Sequence, residues 1–433
     1  MLRTIDLRGR ALSNDELLAT VPRAAAARDE ALVTAARIVG DVAAGGEAAL
    51  RAQASRFDGV DGHEIRVPQD HLDEALAALD ASVRAALEES IRRVRVASAA
   101  QIPPTRVTEL GSGARVEQRW RPVRRVGVYV PGGKAVYPSS VVMNVVPAQV
   151  AGVTEVALAS PPQRAFGGRV HPVILAAARL LDVTEVYAMG GAGAIGAYAH
   201  GVPSLGLHRV DVISGPGNNF VALAKRVVAG MVGTDSEAGA TEILIVADDS
   251  ADADWVAADL VSQAEHDEQA AAVLVTDSAG LAASVAARVA IRAARTLHAV
   301  RVGAALAGPQ SAIVLVDDIA GATAFSNAYA PEHLELHIAD PHLDDFVNAG
   351  AVFVGPHSPV SLGDYLAGSN HVLPTGGQAR YAAGLSASTF LRPQQVIAYD
   401  RRGLQEVRDA IVSLAAAEVL PAHGEAVLAR FED

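Results

Sequence analysis

The sequence predicts an α/β protein of two parallel-sheet units, with a helical region before them and a helical arm after them. Three observations carry this. From Arg124 onward, short apolar runs alternate with helix-length stretches, the pattern of strands joined by crossover helices. The run Val153-Thr-Glu-Val156 returns as Val183-Thr-Glu-Val186, so one strand–helix unit follows another. Half of the 433 residues are hydrophobic but only 4% are aromatic, and there are 38 glycines, which favours close packing of helices on a sheet through small side chains.

In chain order, Arg23 to Val42 and Gln69 to Ala100 are Ala-rich with charges at helical intervals, and Ile102-Pro-Pro-Thr105 marks a break. Residues 1–122 form the helical region, expected to pack with residues 238–380. The first α/β unit is residues 123–237, with strands at Val126–Val130, Val153–Ala159, Val183–Met189 and Val210–Ser214 and helices at His171–Leu181 and Ala192–His200. The second unit is residues 238–380. Its strands fall at Ile243–Val246, Ala272–Thr276, Ala312–Val316 and Ala351–Val354, and a helix runs from Asp254 to about Gln269. Residues 381–433 form the arm, broken by Pro421.

Composition removes several functions. Acids outnumber bases 49 to 36, a formal charge of −13, which argues against binding duplex nucleic acid. The absence of cysteine rules out disulfides, thiolate zinc sites, iron–sulfur clusters and a cysteine nucleophile. Any aldehyde oxidation here therefore bypasses a thiohemiacetal. The first residues have no apolar signal core and no apolar run reaches about 18 residues, so a soluble cytoplasmic protein without a membrane span is expected.

Several segments have the residue types of a site. Gly191-Ala-Gly193-Ala-Ile-Gly196 spells GxGxxG after a strand, with Asp211 twenty positions beyond Gly191, but Asp211 falls within or before its strand. A tight strand-to-helix turn explains the spelling equally well. Gly215-Pro-Gly-Asn218 stands between a strand and a helix, where an anion or a close-packed turn fits. Pro131-Gly-Gly-Lys134 lacks the spacing of a phosphate loop and reads as a glycine turn. Gln263 and His266, three apart on a helix, make an incomplete metal site. Glu332 and His333 follow a proline, where a loop exposes both and offers two acid/base groups; the strand beginning there turns His337 to solvent. A glycine-dense polar stretch carries Asp364 and His371, and Glu418 and His423 bracket Pro421.

Taken together, these segments resemble the histidinol dehydrogenase family. The resemblance is carried by 215–226 (Gly-Pro-Gly-Asn-Asn-Phe-Val-Ala-Leu-Ala-Lys-Arg), 238–248, 259–267 (Asp-Leu-Val-Ser-Gln-Ala-Glu-His-Asp), 330–335 (Ala-Pro-Glu-His-Leu-Glu) and 362–375, in the family's order, thinning before about residue 120. It implies oxidation of L-histidinol through L-histidinal to L-histidine, the end of histidine biosynthesis, with two NAD⁺ reduced. It also implies a homodimer with one Zn²⁺ per subunit. By resemblance Gln263, His266, Asp364 and His423 are the zinc ligands, an N/O donor set suited to that metal. His333 is the base for the alcohol proton and Glu332 the base for water. Thr241, where the family usually has Ser, joins His371 and Glu418 among the substrate contacts, together with the ligands and His333. The C-terminal arm would complete the partner's site.

Tyr129, position 193 and Asn218 are the implied NAD contacts. The family's usual Gln is Gly193 here, so the GxGxxG spelling is a family turn carrying a substitution. The two units are accordingly Rossmann-like but incomplete, without a functional fingerprint. Loss of that Gln removes one hydrogen bond, worth about 0.5–1.5 kcal/mol, and predicts weaker NAD⁺ binding. Three alternatives stand beside this reading: a related dehydrogenase of another alcohol such as a sulfonate diol, a zinc hydrolase using Glu332 and a metal-bound water, and a non-catalytic binding protein.

Overall fold

The structure is a computed structural model and describes residues 2–23, 28–132, 136–236 and 239–432. Gly133 and Lys134 of the glycine turn, residues 24–27 of the first expected helix, and Ala238 lie outside the described residues.

The chain begins with strand β1 (Arg3–Asp6) and helix α1 (Asn14–Thr20), whose start is set by a Ser13/Glu16 capping box. Helices α2 (Arg28–Gln53), α3 (Gln69–Ala77) and α4 (Ala81–Ala100) follow, the last capped by Asp80. Two strands, the exposed β2 (Arg106–Gly111) and the largely half-buried β3 (Ala114–Pro122), lead into the first α/β unit. That unit runs β4 (Arg125–Tyr129), α5 (Pro138–Ala151), β5 (Glu155–Ser160), α6 (Pro172–Leu180), β6 (Glu185–Ala188), α7 (Gly191–His200), β7 (Val212–Ser214), α8 (Asn219–Val228) and β8 (Gly233–Thr234). The second runs β9 (Glu242–Ala247), α9 (Ala253–Ala264), β10 (Ala271–Thr276), α10 (Ala279–Ala293), α11 (Ala299–Ala307), β11 (Ala312–Leu315), α12 (Ile319–Tyr329), β12 (His333–His337), β13 (Ala351–Val354) and α13 (Val360–Tyr365). Strand β14 (Leu391–Tyr399) and helices α14 (Arg401–Ala417) and α15 (Pro421–Leu428) close the chain.

The first sheet has the order β6-β5-β4-β7-β8 and the second β1-β11-β10-β9-β12-β13, every pairing parallel. A third sheet, β14-β3-β2, is antiparallel and joins the arm to the segment before β4. The α/β expectation therefore holds, with two parallel units. Both faces of each parallel sheet are covered, so strands such as β4 and β9 are buried at every position.

The N-terminal region divides its packing, which corrects the expectation that it lies on the second unit. Only β1 and α1 do so: β1 pairs with β11, and α1 packs on α12. Helix α2 packs on α7 and α8, α3 on α6, and α4 on α5, all in the first unit. The reason is where their apolar faces go. Ile38, Val39, Val42 and Leu50 complete one core of the first unit, and Leu72, Leu87 and Val94 the other. Val372, Leu385 and Phe390 also enter that second core, so the chain returns to the first unit after α13.

Candidate functional site

The first sheet reverses direction between β4 and β7: β5 and β6 lie on one side of β4, β7 and β8 on the other. Such a switch point leaves a crevice at the carboxyl ends of the strands. Tyr129 ends β4 there, buried, and its hydroxyl accepts the N–H of Gly191 at 3.1 Å. Burial pushes the phenol up to about 12, so it stays neutral. Gly215 follows β7 with φ +119, and a Cβ would stand 1.9 Å from the carbonyl oxygen of Tyr129, so glycine is required for the two strands to meet. A buried ion pair fixes this turn: Asp235 accepts the Gly215 N–H at 2.8 Å, while Lys225 donates to the Gly215 carbonyl at 2.5 Å and to Asp235. Asn218 is exposed and caps α8, its Oδ1 accepting from Phe220 and Val221.

The glycine spelling has an explanation in packing. Asp211 precedes β7, and its carboxylate accepts the N–H groups of Arg124 and Arg125 at 2.9 and 3.0 Å, so it is a structural clasp. Gly193 is buried in the first turn of α7, and a Cβ there would lie 2.0 Å from Oε1 of Gln53 at the end of α2. Position 193 thus points at the α2 interface, where Gln53 donates to Ile38 O at 3.2 Å. This revises the simple expectation that Gly193 only lacks a cofactor bond: Gln53 occupies the space into which a side chain would project.

The second cluster gathers at the amino edge of the second sheet, at the starts of β9 and β12 and the end of α9. Glu332 accepts the Thr241 hydroxyl at 2.6 Å and the Glu242 N–H at 2.8 Å. His333 Nδ1 lies 3.0 Å from the Glu242 carbonyl, which only accepts, so Nδ1 donates and the neutral ring has its lone pair on Nε2. Nδ1 is also 3.5 Å from Glu332 Oε2. Both residues are buried, and His333 is the first residue of β12. The expected exposed loop is therefore wrong: the pair is drawn under the start of β9 by these bonds. His337 is buried too, because β12 is an interior strand covered on both faces. Burial raises the Glu332 carboxyl to about 7, against the opposing pull of His333. The turn before the pair is strained, with Ala330 at φ +50. Arg23 braces it, donating to Tyr329 O and to Glu242, both at 2.5 Å.

Gln263 donates through Nε2 to the Thr241 hydroxyl at 2.6 Å, while its buried Oε1 has no hydrogen-bond partner. An orphaned buried acceptor fits a cation ligand. His266 lies just past α9, which ends at Ala264 and is shorter than expected because the chain turns there into β10. His266 Nε2 is 3.9 Å from Asp364 Oδ2 in α13, within reach of one shared cation about 2 Å from each. Desolvation by burial lowers the His266 pKa, which favours the neutral, ligating imidazole. His371 donates through Nδ1 to the Asp364 carbonyl at 2.9 Å and takes the Ser140 hydroxyl on Nε2 at 3.3 Å, linking α5 of the first unit to the second. Its pKa is also lowered by burial.

The donors present in one chain thus fit a metal. Among the described residues, though, the group of three His, Asp or Glu side chains spaced to hold an ion is a different one: Asp259, Glu335 and His337. The sequence reading missed this trio, and also Ser140, Arg23, Glu242, Gln53 and the Lys225–Asp235 pair. Each is one ordinary residue on an element whose partner is remote in sequence. Glu418 and His423 are exposed on the arm, away from the interior where Glu332 and His333 are buried. Val419 between them is held at φ +58, a strained backbone for a β-branched residue.

A family model described as histidinol dehydrogenase matches residues 21–431. A curated histidinol dehydrogenase of Leifsonia xyli subsp. xyli is 62% identical over 434 residues, covering 100% of both chains. One from Mycobacterium tuberculosis is 55% identical, covering 100% of this chain and 98% of that one. The crystal structure of histidinol dehydrogenase from Elizabethkingia anophelis superposes with a TM-score of 0.93 at 31% identity, over 99% of this chain and 98% of that chain.

Proposed function

The chain belongs to the histidinol dehydrogenase family, and from that premise we propose that it oxidises L-histidinol to L-histidine through bound L-histidinal. The observation that carries this is the buried Glu332–His333 pair beside Gln263, whose Oε1 is left without a partner. NAD⁺ is the electron acceptor in both steps, with Tyr129, Asn218 and the turn around Gly193 forming its side of the cleft.

His333 Nε2 takes the hydroxyl proton in the first step; the Glu242 carbonyl holds the ring in the tautomer that leaves this nitrogen free. Glu332 then takes a proton from the water that adds to the aldehyde. A carboxyl raised to about 7 is a stronger base than an ordinary one, yet still ionises near neutrality. Thr241 and the Glu242 N–H hold its other valences, so the carboxylate cannot swing away. Keeping the aldehyde in place makes the second oxidation effectively unimolecular.

Gln263, His266 and Asp364 are the ligands from this chain, and the partner subunit's His423 completes the set; His371 and the partner subunit's Glu418 contact substrate. Bound Zn²⁺ would supply charge that holds and orients an amino-imidazole substrate. The exposed Leu414, Val419 and Leu420 of the arm support a homodimer in which the arm crosses. Among the described residues no helix is long and apolar enough to cross a membrane, in keeping with a soluble cytoplasmic enzyme. The relatives' names support none of the three alternatives.

Incubation with L-histidinol and NAD⁺ tests the reading. Two NADH per substrate, lost on chelation and restored by Zn²⁺, is expected; no NADH would refute it. Truncation after Leu414 should abolish turnover, and retained activity would remove the arm and His423 from the site.

A further inference from the structure

Three elements bring the residues of this reading together: α9 with Gln263, β12 with His333 at its head, and α13 with Asp364. They meet a second time, behind the site. Glu335 lies two residues along β12 from His333, on the same face, and is fully buried. Its Oε1 accepts the N–H of Val360, the first residue of α13, at 2.7 Å. Its Oε2 is 3.3 Å from His337 Nε2, which is itself 4.0 Å from Asp259 Oδ2. Asp259 stands one helical turn before Gln263 on α9.

Helix α13 has no side-chain cap of its own: it has only 6 residues, and its N-cap is Pro359. The side-chain oxygen that accepts the Val360 N–H comes from another element, β12. Spacing alone would let the trio hold a cation, but both Glu335 oxygens already have partners. Burial and the nearby Glu335 also push the Asp259 carboxyl up to about 7, so a proton competes for the same place.

We propose that Glu335 is a positioning residue: by capping α13 from β12, and joining α9 through His337 and Asp259, it holds Asp364 opposite His266 and Gln263. This rests on the reading of those three as metal ligands. Outer contacts of this kind affect metal affinity by about 10–100-fold.

The test is chelator-competition measurement of Zn²⁺ affinity on the full-length protein, with the visible spectrum of the Co²⁺-loaded form as a second readout. Glu335→Met fills the volume without an acceptor and should weaken Zn²⁺ binding at least about tenfold and alter the Co²⁺ spectrum. Glu335→Gln keeps an oxygen for the Val360 N–H and should stay within about threefold of the parent, well inside that range. Val285→Ala, a buried apolar α10 residue outside the trio, should lower melting temperature without moving metal affinity. Parent-like affinity in Glu335→Met overturns the proposal, as does a second bound metal per chain. If Glu335→Met does not fold, Glu335→Gln decides, and a loss of about tenfold in it overturns the proposal. Asp364→Asn separates the two readings. If it leaves affinity unchanged, the ligand assignment fails and the positioning role with it; if it weakens binding while Glu335→Met does not, only the positioning role fails.

Discussion

The two parallel sheets share a topology and are used in opposite ways. The first presents the carboxyl ends of its strands, and its site features are mostly main chain: Gly215 against Tyr129, the Gly191 N–H on a phenol, Asn218 at a helix start. The second presents the amino edge of β9 and β12, and its features are side chains: Glu332, His333, Thr241, Gln263. A main-chain cleft suits a large ligand that must enter and leave twice. A dense side-chain cluster suits proton transfer at fixed atoms. The difference teaches that a shared sheet pattern does not determine which end of the strands carries chemistry.

The largest expected effect lies on the side-chain side. His333→Asn should lower the first oxidation by about 10²–10⁴-fold, the usual contribution of a positioned base, with NAD⁺ affinity retained; stopped-flow NADH formation checks it. Histidinal oxidation should also fall as pH drops below about 7, where Glu332 takes up its proton. The same shift bears on stability. The folded state favours the protonated carboxyl, so that contribution is complete below the ordinary value of 4.5 and is lost as pH rises through about 7. Glu332→Gln should therefore melt higher than the parent at pH 8 and close to it at pH 5.

Next comes the main-chain side. Lys225→Met leaves Asp235 buried without its cation, a loss of about 3–5 kcal/mol, and frees the Gly215 turn. Denaturant unfolding should show the destabilisation, and KM for NAD⁺ should rise more than kcat falls. An unchanged KM would break the comparison, since that turn would then have no part in the cofactor cleft.

Much of the fold was legible because buried parallel strands leave continuous apolar runs; β9 and β10 lie within a residue of their expected places. The Glu332–His333 pair was legible as residues but not as an environment. Alternation along β12 reads as one wet face, whereas Phe325 and Tyr329 of α12 pack with Leu334 and Leu336 on one side and Asp259 of α9 approaches His337 on the other, and burial is what gives Glu332 its basicity. The packing of α2–α4 was hidden because an amphipathic helix shows that it has a face, not which sheet receives it. Gln53 against Gly193 was illegible for the same reason: the two meet only through tertiary packing.

Two smaller effects sharpen the contrast. Thr241→Ala removes the hydroxyl shared by Glu332 and Gln263 and should cost about 1–3 kcal/mol in the activation barrier, with Thr241→Ser restoring the rate. Gly193→Gln should lower stability by about 1–3 kcal/mol through overpacking against Gln53. The double variant with Gln53→Ala should recover that loss, and only there should KM for NAD⁺ fall below the parent's. A single variant as stable as the parent would show that Gln53 yields freely.

The most direct test is the NADH yield per L-histidinol in Glu332→Gln, read beside the parent. With water activation removed and His333 intact, the yield should fall from two towards one, with L-histidinal trapped by an added carbonyl reagent. Two NADH formed at the parent's rate would contradict the assignment of Glu332 to the second oxidation.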